Sequence, residues 1–341
     1  MDNVKRTAKN YIRSLLDEAH TKGETTQFNF ARNSIKQSKL NKLMCDVLGS
    51  GQVFDPLFQN GSVKEQTEIL INSLCSDLKL DLSERVSEQY QSLVNNTEIG
   101  LLPLMDQCAY CLAQTDDNKT HNSYYIILHE YVYILILFLS KSIVLENVEG
   151  SLSQFKACGF QSFKQASCLF SKTSNFDIKN INFDNINNID VVAELTACQH
   201  NLATITLKFI VLHEFAHIAH KDLNVMDSHK RFLISESEST SEQYWDSEFK
   251  ADAFALHYLC STCVTPISAW ANFTQVYMFF SLLAFLETKS GFRSANTHPP
   301  AKIRVEKMLT WMKENIGSYD ESSNNIHWVD SKVAQWISML D

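Results

Sequence analysis

Apolar positions recur along most of this chain at helical spacing. Residues 3–50 read as one or two amphipathic helices, with Tyr11, Ile12, Leu15 and Leu16 on one stripe and Ile35, Leu40, Leu43 and Met44 on another. Val63 to Leu93 continues the pattern, with Glu65, Glu68 and Glu84 on its solvated side, and the apolar runs of Gly100 to Leu145 predict further core helices. Thr206 to His220 is different: it is apolar around its whole circumference and holds no Gly or Pro, as a buried helix does. A polar, Asp/Ser/Glu-rich stretch follows from Lys221 to Ser247, longer than ordinary connections and of a size to gate a cleft. Helical spacing resumes over Asp246 to Leu256, and Phe273 to Leu286 predicts another buried helix. Ser171 to Asp190 breaks the rule, because Asn and Asp alternate there with Phe176, Ile178, Ile181, Phe183, Ile186 and Ile189. It reads as a linker, as irregular β structure, or as both. With 9 Gly and 5 Pro in 341 residues, against average shares of about 7% and 5%, helices should dominate. The expectation is a mainly α fold with a small β element, α+β being the variant. A chain of this length has room for a large core and for two regions, divided as 1–170 and 171–341.

Chemistry concentrates in the buried helix. His213-Glu214-Phe215-Ala216-His217 is an HExxH pentapeptide. Residues four apart on a helix stack on one face, about 6 Å between Cβ atoms, so two imidazoles there can grip one ion. A catalytic zinc takes three protein ligands and leaves its fourth position to water. Glu214, one residue past the first ligand, leans toward that position, where it can take a water's proton and pass it to a leaving amine. The alternative is a core helix whose histidines bond backbone carbonyls and whose Glu pairs with a Lys or Arg. Burial of two His and a Glu without partners would be costly, and a metal would satisfy them.

The third ligand is read from the next helix. Glu248 lies 31 residues after His217, and Asp252 is four residues further, on the same face. Glu248 is expected to complete the metal site with His213 and His217. Asp252 is expected to accept the free N–H of a ligating imidazole, the contact that fixes tautomer and ring orientation. Small Ala251 would let the two helices approach closely. The alternative for these carboxylates is a solvated helix start, where acidic residues are favoured.

HExxH followed by ExxAD on a later helix resembles the gluzincin metallopeptidases, in particular the CAAX prenyl protease and Oma1-type group and the ImmA/IrrE group. A soluble peptidase of the phage-exclusion Lit type is a further candidate relative. The segment Thr297-His298-Pro299-Pro300-Ala301-Lys302-Ile303-Arg304 is similar to the box with a following Arg that the first group carries. The resemblance covers about residues 200–312 and implies a zincin-like carboxy-terminal domain holding Zn²⁺. It implies nothing about the first 190 residues, and membrane members of that group carry spans that this chain does not match. Pro299 and Pro300 stiffen the chain and end any preceding helix, so His298 would sit on a fixed turn. His298 or Arg304 is expected to steady the oxyanion of peptide hydrolysis, the alternative being a helix start with an exposed His. His220 is surplus and reads as a structural or surface residue.

Composition closes off other classes. A net charge of −9 with no long basic run argues against a nucleic-acid footprint. Nine Cys, an odd number, follow a polar amino end, Met1-Asp2-Asn3-Val4-Lys5-Arg6, and read as a reduced, cytoplasmic setting. Cys108-x-x-Cys111 and Cys260-x-x-Cys263 are weighed as a split metal site, with buried thiols packing as small hydrophobes preferred. The apolar run after His129-Glu130 is nine residues, short of the about 20 that a span needs, so membrane attachment is not expected. The partner expected is a protein or peptide substrate cleaved by a zinc-dependent endopeptidase, with a regulatory partner that opens the Lys221–Ser247 loop as an addition. The other class is a regulatory or interaction module that keeps a zincin fold and uses its zinc structurally.

Overall fold

The protein was examined as a computed structural model, described over residues 63–102, 109–115, 122–170, 183, 186, 189–222, 242–290, 299–317 and 320–340. The stripes expected over 3–50 lie outside the described residues, as do His298 and most of the 171–190 and 221–247 stretches.

Helix α1 spans Val63–Arg85 and leads through a 3₁₀ turn, Glu88–Tyr90, into the short α2, Gln91–Asn95. Strands β1 (Thr97–Leu102), β2 (Ala109–Thr115) and β3 (Asn122–His129) follow. They form one sheet in the order β1-β3-β2, with β3 parallel to β1 and antiparallel to β2. Ile126 in the middle strand faces Ile99 of β1 and Cys111 of β2 across the ladder. Here the reading of Gly100–Leu145 as helices is corrected, since among its described residues only those from Glu130 onward are helical. Tyr125, Ile126, Ile127 and Leu128 are all buried, so the middle strand shows a continuous apolar run instead of an alternation. Such a run carries no helix-versus-strand signature.

The chain then turns directly into α3 (Glu130–Glu146) and, after a 3₁₀ turn at Gly150–Phe155, into α4 (Lys156–Phe170). These two helices cross closely because Gly159 has no side chain. A Cβ at that position would stand 3.1 Å from the Ser142 carbonyl oxygen. Helix α5 (Ile189–Ala219) is the longest, and it packs against α3, the sheet and α6 (Glu242–Ser261). Helix α7 (Pro266–Ser290) lies beside α5 and α6, as expected for Phe273–Leu286. Helices α8 (Ala301–Asn315) and α9 (Asp320–Ser338) complete the fold. In α8 the buried positions are Ala301, Val305, Met308 and Met312, and in α9 they are Ile326, Val329, Val333 and Trp336. Both sets follow the three-and-four spacing of an amphipathic helix.

One apolar cluster joins residues on both sides of position 170, from Leu78 and Ile126 to Phe215, Phe273 and Trp336. Polar contacts reinforce it. Asp81 on α1 takes an ion pair from Lys208 of α5 at 2.5 Å. Arg85, held by the same Asp81, donates to the Tyr258 and Leu259 carbonyls at the end of α6 and to the Thr262 hydroxyl. Those carbonyls are among the last of the helix, for which its own backbone supplies no N–H donor. Helix α1 is thereby tied to α5 and to α6.

Two helical stretches, Asp190–Ala219 and Pro266–Thr288, are long and apolar enough to cross a membrane by length and composition. In the fold 67% and 56% of their most apolar windows are buried inside the protein, and they form the layer that carries and backs the site described next.

Candidate active site and metal centre

His213 and His217 project from the last two turns of α5, one turn apart on one face, and Glu248 meets them from the second turn of α6. All three are buried, as are Glu214 and Asp252. Ala251, on α6 between the two carboxylates, is fully buried and adds little bulk there.

The three side chains converge. His213 Nε2 is 3.4 Å from His217 Nε2, and the two nitrogens lie 3.3 and 3.4 Å from the two oxygens of Glu248. Ligands bound at about 2.0–2.1 Å to one tetrahedral ion stand about 3.3–3.4 Å from each other, so these spacings fit a zinc-sized centre. The donor chemistry fits as well. Three groups whose free lone pairs face one another in a buried place are unfavourable without a positive charge among them. Among the described residues this is the group of His, Cys, Asp or Glu whose ligand atoms cluster tightly enough to hold a metal ion.

Behind the imidazoles stand two carboxylates. Asp252 Oδ1 is 3.0 Å from His213 Nδ1, which assigns a proton to Nδ1 and turns Nε2 toward Glu248. On the other ring, Asp222 Oδ2 lies 3.3 Å from His217 Nδ1. Asp222 was not singled out from the sequence, where it passes as one acid among many in the Lys221–Ser247 stretch. Its available signal was its place five residues after His217, just where the helix stops.

Arg304 lies in the first turn of α8. That turn is fixed by Pro300 at the cap position and by the Glu287 carboxylate of α7, which accepts the Ala301 N–H at 2.9 Å. Its guanidinium grips Asp252 with two donors, Nε at 2.9 Å and Nη2 at 2.6 Å, and its Nη1 is 4.0 Å from Glu248. Arg304 Nη2 also stands 3.3 Å from His213 Nδ1, and the Phe280 ring of α7 lies 4.7 Å from the guanidinium carbon. The fork therefore occupies the Nδ1 side of His213, away from the nitrogen that faces Glu248. Its two closest donors are committed to a carboxylate, so it is placed to hold Asp252.

The electrostatics follow from this packing. Burial and the Arg304 charge act to lower the His213 pKa, but hydrogen bonds to Asp252 and Glu248 and the Asp252 charge outweigh them and push it up to about 9. His217 is lowered, by burial first and by the neighbouring His213 second. Asp252 is held below the usual carboxylate range, since Arg304 and His213 overcome the burial that would raise it. The two imidazoles thus share a field that attracts a single positive charge. Glu214 is buried one residue past His213, and its carboxylate acts electrostatically on His217 and on Arg304.

His220 is exposed, with its ring edge-on to Phe254 at 5.5 Å. His298 lies outside the described residues. Cys260 and Cys263 close the end of α6, where Cys260 contacts Met312 sulfur at 3.9 Å and Cys263 donates to the Leu259 carbonyl. Cys108, the distant member of the other pair, is outside the described residues.

No curated protein and no solved structure matches the chain. Residues 171–323, a little under half of the chain, match the family described as Peptidase U49, and this stretch contains every residue of the cluster just described. That is the Lit-type peptidase family, the relative named last among the resemblances. The match supports a peptidase of metallopeptidase-like kind, and the His213, His217 and Glu248 group is compatible with it.

Proposed function

We propose that this protein is a zinc-dependent endopeptidase that hydrolyses peptide bonds of a protein substrate. The observation that carries the reading is the convergence of His213, His217 and Glu248 at tetrahedral spacing, with a buried Glu214 on the same helix as the two histidines. The Peptidase U49 match supports it independently of geometry.

Zinc, when bound, supplies a Lewis acid that brings the pKa of a bound water to about 7. His213, His217 and Glu248 would be its holders. Glu214 is the group that moves the proton: it takes one from the attacking water and returns it to the amine of the broken C–N bond, while the water's oxygen stays on the acyl carbon. Asp252 keeps His213 in the tautomer whose Nε2 lone pair is free, and Arg304 keeps Asp252 in place. In this proposal Arg304 acts through Asp252, and the oxyanion role stays with His298, on the strength of its place before Pro299-Pro300.

The test is a metal assay beside digestion of casein and mixed peptides, for the wild type and Glu214→Gln. The reading predicts about one zinc per chain in both proteins and cleavage by the wild type alone, with a loss of roughly 10²–10⁴-fold in the variant. Zinc in both and cleavage by neither would instead support an interaction module with structural zinc.

A further inference from the structure

We propose that Asp222 is a positioning residue for His217, held at its post by a left-handed backbone turn at Lys221. The inference rests on the metal-site reading above and adds a residue to it.

Lys221 has φ 58°, the one positive φ at a non-glycine position among the described residues. It closes α5 with two hydrogen bonds: its own N–H donates to the Ile218 carbonyl at 3.2 Å, and the next N–H, that of Asp222, donates to the His217 carbonyl at 3.0 Å. This is the Schellman arrangement, in which glycine is the usual residue at the left-handed position because a Cβ is crowded there. A lysine in that place is locally unfavourable. So is an aspartate just beyond it, since the carboxyl end of a helix repels negative charge.

Two successive residues thus run against local preference, and one contact accounts for both. The reversal brings Asp222 back over the last turn of the helix, so that it touches His217 twice: through its N–H to the main-chain oxygen and through Oδ2, 3.3 Å from the ring Nδ1. The other charged groups near this ring, Glu248, Glu214 and His213, act on it electrostatically, and Glu248 and His213 do so from its Nε2 side. Asp222 is therefore the group that fixes the proton on Nδ1 and points Nε2 into the cluster, as Asp252 does for His213. Strain at a turn next to a functional ring is the kind that surrounding structure maintains for a purpose.

The experiment uses the full chain and reads zinc affinity by competition with a chromophoric chelator, with the melting temperature of each metal-free protein as a check on folding. Asp222→Ala is expected to weaken zinc binding 10- to 100-fold. Asp222→Asn should fall between that variant and the wild type, because its amide oxygen still accepts the Nδ1 proton. Lys221→Gly takes the turn freely and should retain the wild-type affinity with a raised melting temperature. Lys221→Val, whose branched side chain resists the turn, should weaken binding about as much as Asp222→Ala, and the double variant should be no weaker than Asp222→Ala alone. An Asp222→Ala protein that binds zinc within about twofold of wild type overturns the proposal. So does a Lys221→Val effect that adds in full to that of Asp222→Ala. A wild-type protein that binds no zinc overturns the metal reading beneath it, a distinct result.

Discussion

The two histidines of the cluster are one turn apart on the same helix, yet they are backed in unlike ways. His213 leans on Asp252, a residue of a buried helix whose side chain is 3% exposed and gripped by a two-pronged arginine that is itself stacked on a phenylalanine. His217 leans on Asp222, 26% exposed, on the turn that ends α5. The first support is part of the core, so altering it should damage folding and metal binding together. The second is an attachment to the core and should affect metal binding with little cost to folding. One site is thus built on a rigid flank and an accessible one.

Measurements can break or sharpen that contrast. The largest effect is expected from Arg304→Ala, which leaves Asp252 as a buried carboxylate without its partner. A loss of about 3–5 kcal/mol is predicted from urea unfolding of the metal-free protein, and a loss under about 1 kcal/mol would mean that the grip is dispensable. Asp252→Asn keeps the size and removes the charge, at about 1–3 kcal/mol, with zinc affinity reduced by about 10- to 100-fold. Asp222→Asn should stay under about 1 kcal/mol in the same unfolding assay, as befits a partly exposed pair. If the two aspartates cost the same, the contrast between the flanks is wrong.

Acid should separate the flanks in another way. Zinc requires both imidazoles unprotonated on Nε2, so falling pH releases it first and removes the stability it confers. The Asp252 carboxyl is depressed in the folded protein. Its contribution is therefore present above its unfolded pKa of about 3.9 and disappears only as pH falls through the lower folded value. Thermal melts at stepwise pH should show a zinc-dependent loss that chelation removes, and a more acidic loss in both the loaded and the chelated protein. The smallest change in metal binding is expected at Gly159→Ala, at the crossing of α3 and α4. Its new Cβ would press on the Ser142 oxygen at 3.1 Å and cost on the order of 1 kcal/mol of stability, with zinc affinity untouched.

What could be read from the sequence was whatever rests on helical periodicity. The His213–His217 pair, the Glu248–Asp252 pair and the helices that carry them follow from spacing, because a helix fixes which side chains share a face, whereas the meeting of the two pairs does not. The sheet was not legible. Residues 124–139 form one apolar run that changes from strand to helix between His129 and Glu130 with no Gly or Pro at the junction. Asp222 escaped for a related reason, since Lys221 occupies a position where glycine would have announced the end of the helix. The grip of Arg304 on Asp252 joins residues 52 apart in sequence. No local pattern encodes which donor a distant carboxylate will meet.

The ties from Asp81 and Arg85 to the two ligand-bearing helices have a further consequence. The stretch 171–323 is what the Peptidase U49 match covers, yet part of what steadies α5 and α6 is supplied from α1, more than eighty residues upstream of that stretch. A fragment trimmed to the recognisable portion would expose the flanks of α5 that α1, α3 and the sheet now cover. Excised in this way, it should aggregate where the intact chain stays dispersed. The border of the matched stretch and the border of mechanical self-sufficiency differ in this molecule.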